Sequence, residues 1–213
     1  KYPRQIIHGD TLDIILDYRG EAYLLDRGAR LMDEWPFHAV RIDPFSEGVI
    51  AGRTLYQHGY HDVVFAGRQD SSWWEAKRHR GLQYELRSIS EEKTTLQSWD
   101  LSPSSFADDV CKAIRRQQKR LALVAPNDIL GADILDRAAE CGLRAPDDFS
   151  LLSFGNAPLY RHYNLTTIAP PVKRIANLLI KLICDKEKLV DADETISVKL
   201  PSRVIEGQTC PLS

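Results

Sequence analysis

The sequence predicts an α/β protein in which parallel strands carry helices on both faces. Short apolar runs alternate with apolar residues at helical spacing almost to the end of the chain. The runs are short enough for strands and apolar enough to be covered on both sides. Turn and capping residues stand between them. The composition agrees: 213 residues, 43% hydrophobic and 27% charged, can bury one large core or two smaller ones.

Leu12 to Leu16 reads as a buried strand. Leu24, Leu25, Gly28, Leu31, Met32 and Trp35 then recur at helical spacing. Ala39 to Ile42 is the next strand. Ser46 can cap a helix through Val49, Ile50 and Leu55, which Gly59 can end. Asp62 to Ala66 is a strand, a helix follows from about Ser72 to Arg87, and a short strand is placed near Leu96. Phe106, Val110 and Ile114 share a helical face. Leu121 to Ala125 is the clearest strand in the chain. Asn127 or Asp128 caps the helix after it, which ends at Gly142, and of the two Asp128 is the favoured cap. Phe149 to Phe154 is a strand, Val172 to Ile183 a helix, and Ile196 to Ile205 an extended stretch in which Pro201 marks an edge or a crossover.

Charge and cysteine usage narrow the function. Lys and Arg number 28 and Asp and Glu 30, for a net charge of −2. A domain that grips nucleic acid unaided carries a basic surplus, so direct DNA binding by this stretch is disfavoured. No apolar run is long enough to span a membrane. Cys111, Cys141, Cys184 and Cys210 include no Cys-x-x-Cys pair, and the first three sit in or beside helical patterns, where cysteine usually serves as a small core residue. This reads as a reducing cytoplasm. The first residue is Lys1, so residues upstream of it are expected.

Ligands of open α/β sheets bind beyond the carboxyl ends of the strands. The residues at those ends are 17–19, 43–46, 67–74, 126–128 and 155–158.

Three stretches resemble the effector-binding domain of the lactose/galactose repressor family of bacterial transcription regulators. The first runs from Val40-Arg41-Ile42-Asp43 through Gly48, Leu55, Gly59 and Asp62–Gly67 to Arg78 and Gly81. The second, the most specific, runs from Leu123-Val124-Ala125-Pro126-Asn127-Asp128 through Gly131 and Gly142-Leu143 to Pro146-Asp147 and Ser150–Phe154. The third is Leu165–Ile168, the helix from Val172, and Leu200-Pro201-Ser202-Arg203-Val204-Ile205. The resemblance covers about residues 36 to 206. It implies a two-lobed periplasmic-binding-protein-like fold, with residues 1–44 and 172–196 in an N-lobe and 45–168 and 198–213 in a C-lobe. The N-lobe reads as incomplete, and the family's helix-turn-helix is absent from this chain.

The resemblance also supplies the first site residue. Arg78 matches the family arginine that grips effector hydroxyls or carboxylates, and its planar fork of donors suits that task. Removing its side chain is expected to abolish effector binding and leave the fold intact. Asn127 follows the best strand and opens a helix, so its amide can reach a ligand hydroxyl. Trp74 shares a helical face with Arg78, and an indole beside a guanidinium suits a sugar ring. Trp99 lies near a position where the family places an aromatic over the ligand. Asp43 ends a strand facing the cleft. Gly155 stands where the family usually has an effector-binding aspartate, and Asn156 is the residue that can compensate.

No nucleophile elbow, phosphate loop, zinc-protease motif or dinucleotide fingerprint is present, so the chain is not read as an enzyme, and no cofactor or metal is assigned. The expected function is the sensing domain of a cytoplasmic regulator. It would bind a small sugar or sugar derivative between lobes, form a homodimer, and meet operator DNA only through the missing helix-turn-helix. The alternative is a periplasmic sugar-binding protein for transport.

Overall fold

The computed structural model describes residues 23–26, 38–67, 72–89, 94–100, 110–112, 114–115, 121–184 and 196–212. Among them the strands are, in chain order, β1 (Tyr23–Asp26), β2 (His38–Arg41), β3 (Asp62–Gly67), β4 (Thr95–Asp100), β5 (Leu121–Val124), β6 (Ser150–Phe154), β7 (Thr166–Ala169), β8 (Ser197–Lys199) and β9 (Arg203–Ile205). The principal helices are α1 (Pro44–Gln57), α2 (Trp73–Ile89), α3 (Asp128–Glu140) and α4 (Val172–Cys184), with a 3-10 turn over Pro158–Tyr163. The chain divides into two compact units, Lys1–Asp43 with Pro171–Pro201, and Pro44–Pro170 with Ser202–Ser213.

The smaller unit holds a parallel sheet of order β1-β2-β8. Val40 and Ile42 pack there with Ile175 and Leu182 of α4 and with Leu200. The helical spacing read through Leu24 and Leu25 is corrected: residues 23–26 form a strand whose register pairs Leu24 with Ala39 and Leu25 with Val40. A short apolar run fits either period, and the neighbouring strand decides it. The strand expected over Leu12 to Leu16 lies outside the described residues.

The larger unit is built on a six-stranded sheet of order β4-β3-β5-β6-β7-β9. Its first five strands are parallel, as expected, while β9 runs antiparallel to β7. Period-2 alternation splits its residues between two cores. Val64, Leu121, Leu123 and Leu151 face α3 and the helical residues 110–112 and 114–115. Val63, Phe65, Ala122, Val124, Leu152 and Phe154 face α1 and α2. Complete burial of a leucine such as Leu55, Leu82 or Leu123 is worth roughly 1.5–3 kcal/mol.

Pro44 opens α1, so Ser46 lies inside the first turn and is not the cap. Gly142, at φ +74°, follows α3 in the left-handed conformation that a helix end favours. Neither β7 nor the 3-10 turn was legible as an element. Pro201 separates β8 from β9, which belong to different sheets, and so marks a crossover.

Helices α1 and α2 touch backbone to backbone. A Cβ added at Gly48 would fall on the carbonyl oxygen of Arg78, and one at Gly81 on that of Phe45. The residues after β9 close the sheet. Leu151 N donates to Thr209 O at 2.7 Å, Thr209 Oγ1 donates to Leu151 O at 2.7 Å, and Thr166 Oγ1 donates to Cys210 O at 2.9 Å. The buried Tyr60 hydroxyl donates to Pro211 O at 3.0 Å.

Cysteine usage is corrected. Cys111 and Cys141 form a disulfide across 30 residues of sequence, with Cα atoms 6.4 Å apart. It joins the helical segment before β5 to the end of α3, a juxtaposition that only the folded sheet creates. Cys184, exposed, and Cys210, buried, lie outside that disulfide.

Candidate functional site

The site forms in the larger unit, where α2 passes the carboxyl ends of β5 and β6. The buried face of α2 recurs through Glu75, Arg78, Leu82 and Glu85, so charged residues occupy positions that would ordinarily hold core hydrophobes. Arg78 is 9% exposed. Its Nε and Nη2 donate to Glu47 Oε2 at 2.8 and 2.6 Å, and its Nη1 donates to Pro126 O at 2.7 Å. The guanidinium carbon lies 4.8 Å from the Trp74 ring centre and 4.6 Å from that of Phe154. Two aromatic faces and a carboxylate therefore fix the group, and each cation–π contact adds to the ion pair.

Glu47 is 2% exposed and stands one turn before Ala51 and two before Leu55 on the buried face of α1. Its second oxygen accepts a hydrogen bond from Ser202 Oγ at 2.7 Å. Asn127 has an extended backbone and caps α3: its Oδ1 accepts from Leu130 N at 2.8 Å. Its Nδ2 donates to Glu75 Oε1 at 3.4 Å. Asp128 does not cap. Its buried carboxylate accepts from Ser153 Oγ at 2.6 Å, Thr167 Oγ1 at 3.1 Å and Ala157 N at 2.6 Å.

The structure brings Arg78, Asn127 and Trp74 together. Arg78 bonds the carbonyl of Pro126, next to Asn127, and Glu75 ties Asn127 to the turn of α2 that carries Trp74 and Arg78. Asn156 is exposed at φ +57° and shares with Asp128 a pocket of about 140 Å³; it is not one of the partners of Arg78. Gly155, at φ +134°, has no room for a side chain, because an added Cβ would lie 2.9 Å from Asp128 Oδ2. Trp99 sits at the end of β4 in register with Ala66, and its side chain lies outside the described residues. Asp43 ends the first segment of the smaller unit.

This packing bears on one expectation. Removing the Arg78 side chain is instead expected to cost stability, because Glu47 would remain buried without its counter-charge. Glu47, Glu75, Phe154 and Ser202 were missed as site residues. The spacing of Glu47 with Ala51 and Leu55, and of Glu75 with Arg78 and Leu82, was the available signal: charged residues in phase with an apolar stripe.

His79, next to Arg78, packs its ring 4.8 Å from Phe65 and lies 2.9 Å from Ser98 Oγ. Burial holds its imidazole below the ordinary value of 6.5. The unfolded chain therefore protonates first as pH falls, so stability declines from about pH 6.5 downward and is fully present above it. His79→Gln is expected to flatten this limb in urea-unfolding curves measured from about pH 7 to pH 5. An unchanged slope would show that other groups govern it.

A family model described as a periplasmic binding protein-like domain matches residues 53–210. The chain belongs to that family. Its resemblance to lactose/galactose repressor effector domains is borne out by the relatives. The HTH-type transcriptional repressor PurR of Edwardsiella ictaluri is 28% identical over 208 residues, covering 93% of this chain and 58% of the relative. PurR of Serratia proteamaculans is 27% identical over 215 residues, covering 97% and 58%. The chain thus spans under two thirds of these relatives. Among solved structures, a LacI family transcriptional regulator from Enterococcus faecium with bound ribose superposes with a TM-score of 0.69 at 22% identity, covering 96% of this chain and 76% of that one. The xylose-binding transcription activator xylR superposes at 0.73 with 18% identity, covering 94% and 55%. The periplasmic-binding-protein-like α/β fold is therefore shared. Among the described residues no helix is long and apolar enough to cross a membrane.

Proposed function

We propose that this domain is the ligand sensor of a bacterial LacI-type transcription regulator and binds a small sugar or sugar derivative at Arg78, Trp74 and Asn127. The observation that carries the reading is the state of Arg78. Of its five N–H donors, three are engaged within the protein, which leaves two on a guanidinium already fixed in place. A preorganised donor pair beside an indole and a strand-end amide suits a ring with hydroxyls on its edge and C–H groups on its faces. Residues 1–44 with 172–196 and residues 45–168 with 198–213 would act as the two lobes of the sensor. Asp43, Asn156 and Trp99 are further candidates for contact with the ligand.

In the whole protein, binding would favour one arrangement of the lobes in a homodimer and so alter the placement of DNA-binding segments outside this chain. Such a regulator would act in the cytoplasm and carry no catalytic role. A transport-type periplasmic sugar-binding protein is the second reading. The Cys111–Cys141 disulfide favours it, since such bonds persist in oxidising compartments. The repressor relatives favour the first.

A thermal-shift panel of neutral sugars, including ribose and xylose, tests the site. A sugar at 100 times its dissociation constant is expected to stabilise the wild-type chain by roughly 2.7 kcal/mol. Arg78→Lys keeps the charge beside Glu47 but loses the fork, and Asn127→Ser keeps the cap but loses the amide. Both are expected to lose most of that shift. Full shifts in both variants would place the ligand elsewhere.

A further inference from the structure

We propose that Glu47 sets the charge selectivity of this site: it keeps Arg78 neutralised, so its remaining N–H groups donate to hydroxyl or carbonyl oxygens and the site rejects phosphate and carboxylate groups. The inference rests on the reading of Arg78 as a ligand contact and adds to it a residue that would not touch the ligand.

An arginine at a ligand site ordinarily invites anions, because its fork matches phosphate and carboxylate geometry. Here that charge is already matched inside the protein. Glu47 Oε2 takes two of the guanidinium N–H groups at 2.8 and 2.6 Å, and the carboxylate is 2% exposed. It cannot readily swing aside, because Ser202 holds its other oxygen at 2.7 Å and α1 packs closely on α2 at Gly48. An arriving anion would not gain an unpaired cation. It would meet a closed ion pair and bring a second negative charge toward Glu47 at short range, in a setting where water screens little. A neutral acceptor meets no such repulsion and still gains the two unspent donors.

The test uses the full 213-residue chain with inorganic phosphate and ribose 5-phosphate as probes, titrated calorimetrically at low ionic strength. Glu47→Gln keeps an acceptor oxygen for Arg78 and presents its amide N–H to the Ser202 hydroxyl, which can accept, but removes the charge. It is expected to bind ribose 5-phosphate about a hundredfold or more tighter than wild type. Glu47→Asp, which retains the charge, is expected to exclude both probes as wild type does. The double variant Glu47→Gln with Arg78→Gln is expected to lose the gain, which assigns the anion to Arg78. Near-ultraviolet circular dichroism confirms that each variant is folded, and Glu47→Ser replaces Glu47→Gln should the latter not fold.

Wild type binding ribose 5-phosphate as tightly as ribose would overturn the proposal, as would a folded Glu47→Gln chain that gains no phosphate binding. Failure of the broader reading looks different, because it appears as neutral sugars whose binding is indifferent to Arg78→Lys.

Discussion

Arg78→Ala is expected to destabilise the protein by about 3–5 kcal/mol, the range for breaking a buried ion pair by removing one partner. The side chain of Arg78 is 11% exposed and that of Glu47 2%, so solvent screens little of the loss. The deletion strands the Glu47 carboxylate, leaves the carbonyl of Pro126 without its donor, and opens the space between Trp74 and Phe154. Urea unfolding followed by circular dichroism measures it, with Arg78→Lys as the comparison because it keeps the charge. A loss below about 1 kcal/mol would mean that the pair is effectively solvated, as exposed pairs are. A ligand-binding assay on Arg78→Ala alone cannot separate lost contacts from lost structure, so the lysine variant is the better probe of function.

Gly48→Ala carries the second large effect, expected at or above the upper end of the roughly 1–3 kcal/mol that overpacking costs. Elsewhere in a helix the same change would stabilise by about 1 kcal/mol, so the sign alone discriminates. The new methyl group has nowhere to go, because it would fall on the main-chain oxygen of Arg78 and approach Leu82 N at 2.7 Å. Backbone does not rotate away as a side chain can, so α1 and α2 must separate. Their separation would pull Glu47 from Arg78, and sugar binding should weaken together with stability. A variant as stable as wild type would show that the two helices do not meet as closely as described.

The two-sided parallel sheet was legible because β3 and β5 are apolar at nearly every position and β6 around its two serines, and such runs have few other uses. Arg78 was legible through a resemblance, Asn127 through its place between the clearest strand and a helix, and Trp74 through its spacing from Arg78. What escaped the reading depends on partners distant in sequence. Residues 23–26 became a strand because β2 lies beside them. Cys111 and Cys141 pair because β5 carries the chain back between their helices. Glu47 lies 31 residues before Arg78 and 155 before Ser202, and a first-turn glutamate read locally looks like a partner for the helix dipole. Asn127 and Asp128 both suit a cap, and the choice fell to Asn127 because Ser153, Thr167 and Ala157 claim Asp128.

The closing segment around Thr209 to Pro211 has a consequence for biosynthesis. Tyr60 meets its acceptor 151 residues later, and ribosomes add roughly 5–20 residues per second, so this ring waits on the order of 10–30 s for its partner. In the later part of that interval, once residues 150–169 have been made, β6 and β7 lack the strand and the hydrogen bonds that finish their edge. Completion of the larger unit's sheet thus waits until residues 209–211 have left the translating ribosome.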